Sequence, residues 1–231
     1  MSDDVKKICA REALKWIKSG TVIGLGGGST ISYLIQYIQE DADLRVKVVT
    51  PSVKTRLLCI EQGLEVLYTS AVDQISVAFD GCDEVDESLN ALKSGGGIHT
   101  KEKLIASMAE DYILLVDETK VVNRLTFKHP VVLEILEDSL AYVQKKVAAL
   151  GGKPAIRTSG AKDGFTVTEN GNLLLDVYFE QVEDIASLES ELQQIRGVVD
   201  TSLFVQVATK ALVAGEGGVR LIAAKQNEAV V

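Results

Sequence analysis

The sequence predicts an α/β fold in which a parallel sheet carries a smaller inserted α+β unit, and three observations predict it. Short β-branched segments alternate with apolar faces at helical spacing up to about residue 124. The rhythm then changes, from residue 131, to strands that follow one another across a tight turn. Two glycine-rich stretches, beginning at Gly24 and Gly95, each lead into a helix.

The elements follow in order. Val5, Ile8, Cys9, Ala13, Leu14 and Ile17 recur at helical spacing after the capping candidates Ser2, Asp3 and Asp4, and Gly20 stops the pattern. Residues 21–25 form a short β-branched strand, 24–28 a glycine loop, and Ile31, Leu34, Ile35 and Ile38 one face of a second helix. A strand at 46–50, a helix at 53–62 and strands near 65–68 and 75–79 continue the alternation, which implies a parallel sheet. A helix at 101–109 and the apolar strand 112–116 extend that sheet, since a strand covered on both faces reads as an apolar run.

From residue 131 the reading is strand 131–136, helix 139–150, strands 154–157, 165–168 and 173–179, helix 185–195 and strand 198–205. Glu169-Asn170-Gly171-Asn172 is a hairpin turn. Taking 154–157 as a short piece that leads into the hairpin, this resembles the β-α-β-β-α-β order of a ferredoxin-like unit. The tail, 208–225, is read as a helix followed by a strand at 218–224 that returns to the first sheet. The fold class is therefore α/β, a Rossmann-like parallel-sheet domain (1–128 plus 206–231) with an inserted ferredoxin-like α+β domain (129–205).

Composition narrows the function. At 231 residues and 46% hydrophobic, the chain can bury a substantial core. Its 33 acidic and 24 basic side chains leave a net charge of -9, which argues against broad binding to nucleic acid or an anionic membrane. A phosphate ligand then needs local basic help. No apolar run approaches the roughly 18 residues that span a bilayer, and a cytoplasmic protein is expected. Cys9, Cys59 and Cys82 are odd in number and widely spaced, so neither a disulfide framework nor a zinc site is indicated. There is no internal repeat or low-complexity tract.

Three loops carry the chemistry. Gly24-Leu25-Gly26-Gly27-Gly28-Ser29-Thr30 lets backbone amides approach a ligand and opens a helix whose N-terminus favours an anion. It is neither a Walker loop nor a GxGxxG fingerprint, and the plainer reading is a tight turn with Ser29 as N-cap. Asp80-Gly81-Cys82-Asp83-Glu84-Val85-Asp86 follows an apolar strand, which puts carboxylates at a strand's carboxyl end, where open α/β sheets bind ligands. Four acidic groups so close repel one another unless a cation, a sugar hydroxyl or a lysine answers them. A divalent metal is one answer, because carboxylates suit magnesium or manganese. Lys93 is the other, a cation already in the chain, and His99 and His129 show no metal-ligand spacing.

The third loop, Lys93-Ser94-Gly95-Gly96-Gly97, runs through His99 into a helix with Thr100 as a cap candidate and Glu102 in its first turn. A first-turn glutamate is ordinarily dipole decoration. Beside a triple glycine, a lysine and two aspartates it is a candidate for proton transfer. Lys120, in a further loop at the same sheet edge, is a candidate phosphate ligand only in company with the others.

In this order and spacing, GLGGGST (24–30), FDGCDEV (79–85), KSGGGIHTKEK (93–103) and DETK (117–120) resemble the A type of ribose-5-phosphate isomerase. That family's motifs are GxGTGST, FDGADE(V/I), KGGGG followed by (R/K)EK, and DESK. The likeness continues through Val167-Thr168-Glu169-Asn170-Gly171-Asn172 and Asp176, close to the family's VTDNGN...LD. The resemblance implies reversible conversion of ribose 5-phosphate to ribulose 5-phosphate through an enediolate, in the non-oxidative branch of the pentose phosphate pathway. It implies no cofactor or metal, and a homodimer or homotetramer.

Matched residue by residue, Glu102 falls on the family's general base, and Asp80, Asp83 and Lys93 on the polar residues that assist ring opening and stabilise the oxygens at C1 and C2. Gly27, Gly28, Ser29, Thr30, Gly81, Cys82, Ser94, Gly95, Gly96 and Lys120 fall at substrate-binding positions, with Lys6 an N-terminal candidate. The chain departs from the pattern where Gly27 replaces a threonine, Cys82 an alanine and Ser94 a glycine. His99 takes a position that is usually small or apolar, and Val131-Val132-Leu133-Glu134 stands in place of PVEV. Two alternatives remain: another sugar-phosphate or CoA-transferring enzyme of similar architecture, and a non-catalytic sugar-phosphate sensor. Lys93 with the Asp80/Asp83 pair argues against the first, and Glu102, which a sensor does not need, against the second.

Overall fold

The computed structural model describes residues 2–223. The chain begins α1 (Asp3–Leu14), β1 (Thr21–Leu25), α2 (Ser29–Glu40), β2 (Val46–Val49), α3 (Val53–Glu61), β3 (Glu65–Val66), β4 (Ile75–Asp80). It continues β5 (Glu84–Asp86), β6 (Ala91–Leu92), α4 (His99–Met108), β7 (Ala109–Asp117), β8 (Val121–Val122), β9 (Val131–Ile135), α5 (Leu140–Ala149). The remainder is β10 (Lys153–Ile156), β11 (Thr158–Ser159), β12 (Lys162–Phe165), β13 (Leu173–Tyr178), α6 (Ile185–Gln193), β14 (Val198–Thr201), β15 (Leu203–Phe204), β16 (Lys210–Gly215) and β17 (Gly218–Ala223).

The main sheet has the order β17-β16-β7-β4-β1-β2-β3, parallel from β3 to β16, with β17 antiparallel at its edge. The chain winds outward from β1 through β2 and β3, then crosses back to β4 on the other side of β1. The carboxyl ends of β1 and β4 thus flank the point where strand order reverses, the position at which doubly wound sheets bind ligands. One face is filled by the apolar stripes of α1 (Cys9, Ala10, Ala13) and α2 (Ile31, Leu34, Ile35, Ile38). The face predicted for α2 is the buried one, and that for α1 is buried at Cys9 and Ala13 but exposed at Ile8.

A second sheet, β10-β13-β9-β14, is antiparallel throughout, with α5 and α6 in the intervening chain. Its central strands are the first and third of the β-α-β-β-α-β run, as in a ferredoxin-like unit. Val131, Leu133, Ile135, Leu175 and Val177 share a core with Val143, Val147 and Leu192 of the helices.

Four readings of the sequence are corrected. Residues 208–217 hold no helix: Ala211, Leu212, Val213 and Ala214 are all buried in β16, between β7 and β17. A short apolar run fits a core strand as well as a helix, and the slot beside β7 decides. The predicted strand 198–205 breaks at Ser202, where β14 ends and β15 joins another sheet. The middle strands of the antiparallel unit are not those read. The piece at 154–157, taken as leading into the hairpin, is the sheet strand β10, paired with β13. The strand read at 165–168 lies earlier, as β12, and pairs only with β11, Val167 making an isolated bridge to Leu173. A four-stranded patch, β15-β6-β5-β8, went unread because its strands are two or three residues long and β5 lies inside the acidic motif. The predicted strand at residue 224 extends past the described residues.

Candidate active site

Three chain segments meet at the β1/β4 switch point. Leaving β1, Gly26 donates its N–H to Phe79 O (2.8 Å), and a Cβ there would lie 2.0 Å from Asp80 Oδ1, so only glycine fits. The N-cap of α2 is Gly28 at φ +95°, not Ser29, which is the first residue of the helix. Gly28 brings no capping side chain, and the helix N-terminus itself lines the cleft, the arrangement that suits an anion. The N-terminus of α3 abuts the same edge: Ser52 Oγ accepts from Thr55 N (3.1 Å), and Thr55 Oγ1 donates to Gly26 O (2.7 Å).

At the end of β4, Asp80 is fixed from all sides. Its Oδ1 accepts from the N–H groups of Gly81 (2.8 Å) and Gly27 (3.3 Å), and its Oδ2 accepts from Tyr112 Oη (3.4 Å) and lies 3.0 Å from Lys93 Nζ. Lys93 Nζ is also 3.4 Å from Glu102 Oε2 and donates to Gly81 O. Asp80, Lys93 and Glu102 are 3%, 5% and 7% exposed, so two carboxylates share one ammonium with little water. Asp83 Oδ2 accepts from Gly95 N (2.9 Å), joining the acidic loop to the glycine loop, and Lys120 Nζ donates to Cys82 O (2.6 Å).

The repulsion expected of four clustered carboxylates is relieved by sending two elsewhere. Glu84 turns to Thr126, accepting from its N–H and its hydroxyl (both 2.6 Å). Asp86 organises the next turn through Ser88 N, Asn90 N and Asn90 Nδ2. Lys93 stands between Asp80 and Glu102, where a cation would sit, and among the described residues no group of three or more His, Cys, Asp or Glu is placed to hold a metal ion.

Burial, and then the Asp80 carboxylate, push Glu102 up to about 8 against the pull of Lys93. For Lys93 burial works downward, but Asp80 and Glu102 outweigh it and hold the ammonium charged. Burial pushes the Cys82 thiol up to about 12, which leaves it inert as a nucleophile. Burial also lowers His99 to about 4; its Nε2 faces Asp200 O (3.3 Å), on β14, and the ring is a neutral core group. Thr100 lies inside the first turn of α4, after an N-cap at Ile98, and is not the cap.

These groups open on a cleft of about 750 Å³. It is lined by Lys6, Gly27, Gly28, Ser29, Thr30, Asp80, Gly81, Cys82, Asp83, Lys93, Gly95, Gly96, Glu102 and Lys120, all of them sequence candidates. Ser94 is the exception: its hydroxyl donates to Pro130 O and it does not line the cleft. Position 27 is open, with nothing within 4 Å of an added Cβ, so glycine there is not a steric requirement. The sequence reading missed Ser52, Val53, Lys54, Asp117 and Glu169, which line the cleft, and Tyr112, which supports Asp80 from beneath. The SVKT stretch at 52–55 carries a capping signal that marks a helix start, but nothing local tells that this start faces a ligand. Four lysines (6, 54, 93 and 120) line the cleft beside its carboxylates; with Lys93 taken by Asp80 and Glu102, Lys6, Lys54 and Lys120 remain as the local basic groups for an anion.

Comparison with known proteins agrees with this geometry. A family model described as ribose 5-phosphate isomerase A (phosphoriboisomerase A) matches residues 47–218. The ribose-5-phosphate isomerase A of Thermosynechococcus vestitus is 39% identical over 221 residues, covering 92% of this chain and 94% of the relative. The solved ribose 5-phosphate isomerase A of Methanocaldococcus jannaschii superposes with a TM-score of 0.90 at 33% identity, covering 96% of this chain and all of that one. A D-ribose-5-phosphate isomerase solved in complex with phospho-erythronic acid superposes with a TM-score of 0.91 at 35% identity, with the same coverage.

Proposed function

The chain belongs to the ribose 5-phosphate isomerase A family and interconverts ribose 5-phosphate and ribulose 5-phosphate, and from that premise we propose how its cleft does so. Glu102, as carboxylate, removes the proton from C2 of the open-chain aldose and returns it to C1. The electron pair left at C2 forms the C1=C2 bond as the carbonyl pair moves onto the C1 oxygen, giving the enediolate. A proton passes from the C2 oxygen to the C1 oxygen, and the C2 carbonyl forms as C1 takes the proton back from Glu102. Lys93 offsets the charge that develops on those oxygens. Asp80 and Asp83 assist ring opening and hold the sugar hydroxyls. The phosphate sits on Gly27 to Thr30 at the N-terminus of α2, with Lys6 and Lys120 beside it.

One observation carries this reading: a buried glutamate and a buried lysine lie 3.4 Å apart in a cleft at the sheet's switch point. Charge stabilisation of this kind is worth most where water is excluded. The proton chemistry calls for no cofactor, and the same reading places the enzyme in the pentose phosphate pathway and the cytoplasm.

The pH profile tests it. Glu102 acts only when deprotonated, so kcat/KM of the free enzyme is expected to rise with pH through a midpoint near 8. The rate at each pH is expected to be unchanged by EDTA. A flat profile from pH 6.5 to 9 removes Glu102 as the base, and activity lost to EDTA makes Asp80 and Asp83 metal ligands instead.

Two further parts of the reading follow, the domain division from the change of rhythm along the sequence and the oligomeric state from the resemblance. The division into 1–128 plus 206–231 and 129–205 is supported by the separate antiparallel sheet, although its core also takes in Leu92, Leu125 and Phe127. A homodimer or homotetramer is expected, and a monomer by light scattering at assay concentration would remove that expectation.

A further inference from the structure

We propose that Arg157, held by Asp176, is a positioning residue for the active-site glycine loop, so that the antiparallel unit is part of the catalytic apparatus. Asp176 was singled out in the sequence, yet it takes no part in the reaction described above. The segment Ser94-Gly95-Gly96-Gly97 joins Lys93 to the helix that carries Glu102, and its Gly95 and Gly96 line the cleft. Gly96 and Gly97 lie at φ +73° and +69°, in a stretch with little intrinsic stiffness. Such a loop presents a defined surface to a sugar only when something outside it fixes its path.

The fixing is visible. Arg157 Nη2 donates to Ser94 O (2.8 Å), and the same guanidinium donates to Asp176 through Nε (2.9 Å) and Nη2 (2.6 Å). Asp176 lies within β13, and Arg157 follows β10, its own N–H bound to Leu174 O (2.9 Å). The fork is thus anchored on a rigid sheet. Gly97 is pressed onto the same surface, since an added Cβ would come within 2.5 Å of Leu174 Cδ1. On its other side the loop is held by Asp83 through Gly95 N. Arg157 therefore fixes the first carbonyl of the loop and Asp83 the amide that follows it, and the glycines are stretched between a cleft residue and the antiparallel sheet. A guanidinium suits this place because one planar group spans a carboxylate and a carbonyl, which an ammonium cannot do in fixed geometry.

The proposal rests on the isomerase reading of the cleft, and it is tested in a way that separates the two. In Arg157→Met, amide hydrogen exchange at residues 95–98 of the ligand-free protein is expected to accelerate about tenfold or more, with β9 and β13 protected as in the unmodified chain. The kcat/KM is expected to fall by about 10- to 100-fold with the pH midpoint unmoved, as for displaced but chemically intact groups. Asp176→Asn is expected to change both readouts in the same direction by less, and adding it to Arg157→Met to do no further harm. Asp176→Asn decides alone if Arg157→Met does not fold. Unchanged exchange at 95–98, exchange raised evenly across the antiparallel sheet, or unchanged kcat/KM each overturns the proposal. The exchange measurement needs no turnover, so failure of Glu102 as the base leaves it untouched.

Discussion

Glu102→Gln is expected to lower kcat by about 10²- to 10⁴-fold, the range for loss of a general base, with KM changed far less. The substitution keeps the shape of the side chain and removes the carboxylate that takes the proton. The limb of the profile near pH 8 is expected to disappear with it. Folding supplies an independent readout. The Glu102 pKa in the folded chain lies above its value of about 4.3 in an unfolded one, so its contribution to stability is fully present below that lower value and is lost as pH rises through about 8. The Gln variant does not titrate there. Its Tm is therefore expected to gain on that of the unmodified protein between pH 5 and 9, because a charge that burial and Asp80 oppose is no longer formed. A variant within threefold of the original kcat would end the assignment of Glu102 as base.

Lys93→Met is expected to damage both chemistry and fold. The ammonium is the buried cation shared by Asp80 and Glu102, so its loss removes the charge that offsets a developing enediolate, worth about 10²- to 10³-fold in kcat. It also removes the one influence that draws Glu102 downward, so less of the base is ionised at neutral pH and kcat/KM falls further. Breaking a buried ion pair by removing one partner costs about 3–5 kcal/mol where the orphaned charge persists. At lower pH one of the carboxylates takes up a proton and the cost shrinks. Urea unfolding at pH 6 and pH 8.5 is expected to show the larger deficit at 8.5, the reverse of what a simple loss of apolar packing gives. Equal deficits at the two pH values, or a kcat within tenfold of the original, would remove Lys93 from this role.

Much of the molecule is legible in its residues taken in order. The strand Thr21–Leu25 and the buried face Ile31, Leu34, Ile35 and Ile38 stand where the pattern puts them, because a single face of a regular element reports its own burial through its period. The order of the antiparallel unit is legible in outline only, since its middle strands are 153–156 and 173–178 and not the hairpin pair 165–168 and 173–179 that the turn signal favours. Glu102, Lys93, Asp80 and Asp83 can be named from motif order, since loops at the carboxyl ends of parallel strands share one edge whatever their sequence separation.

The tertiary structure decided the rest, each time because the deciding partner is far away along the chain. Ala211 to Ala214 became a strand only because β7 offered a parallel neighbour. Glu84 left the acidic cluster for Thr126, 42 residues on, and Ser94 turned from the cleft to Pro130, 36 residues on. Tyr112 reads as one more apolar residue of a core strand until its hydroxyl is found on Asp80. Arg157 carries no signal of its own, and only the docking of the antiparallel sheet brings it to Ser94. Periodicity and motif report what a residue does within its own element, whereas which carboxylate is paired, and by what, depends on burial and on charges that the fold brings together.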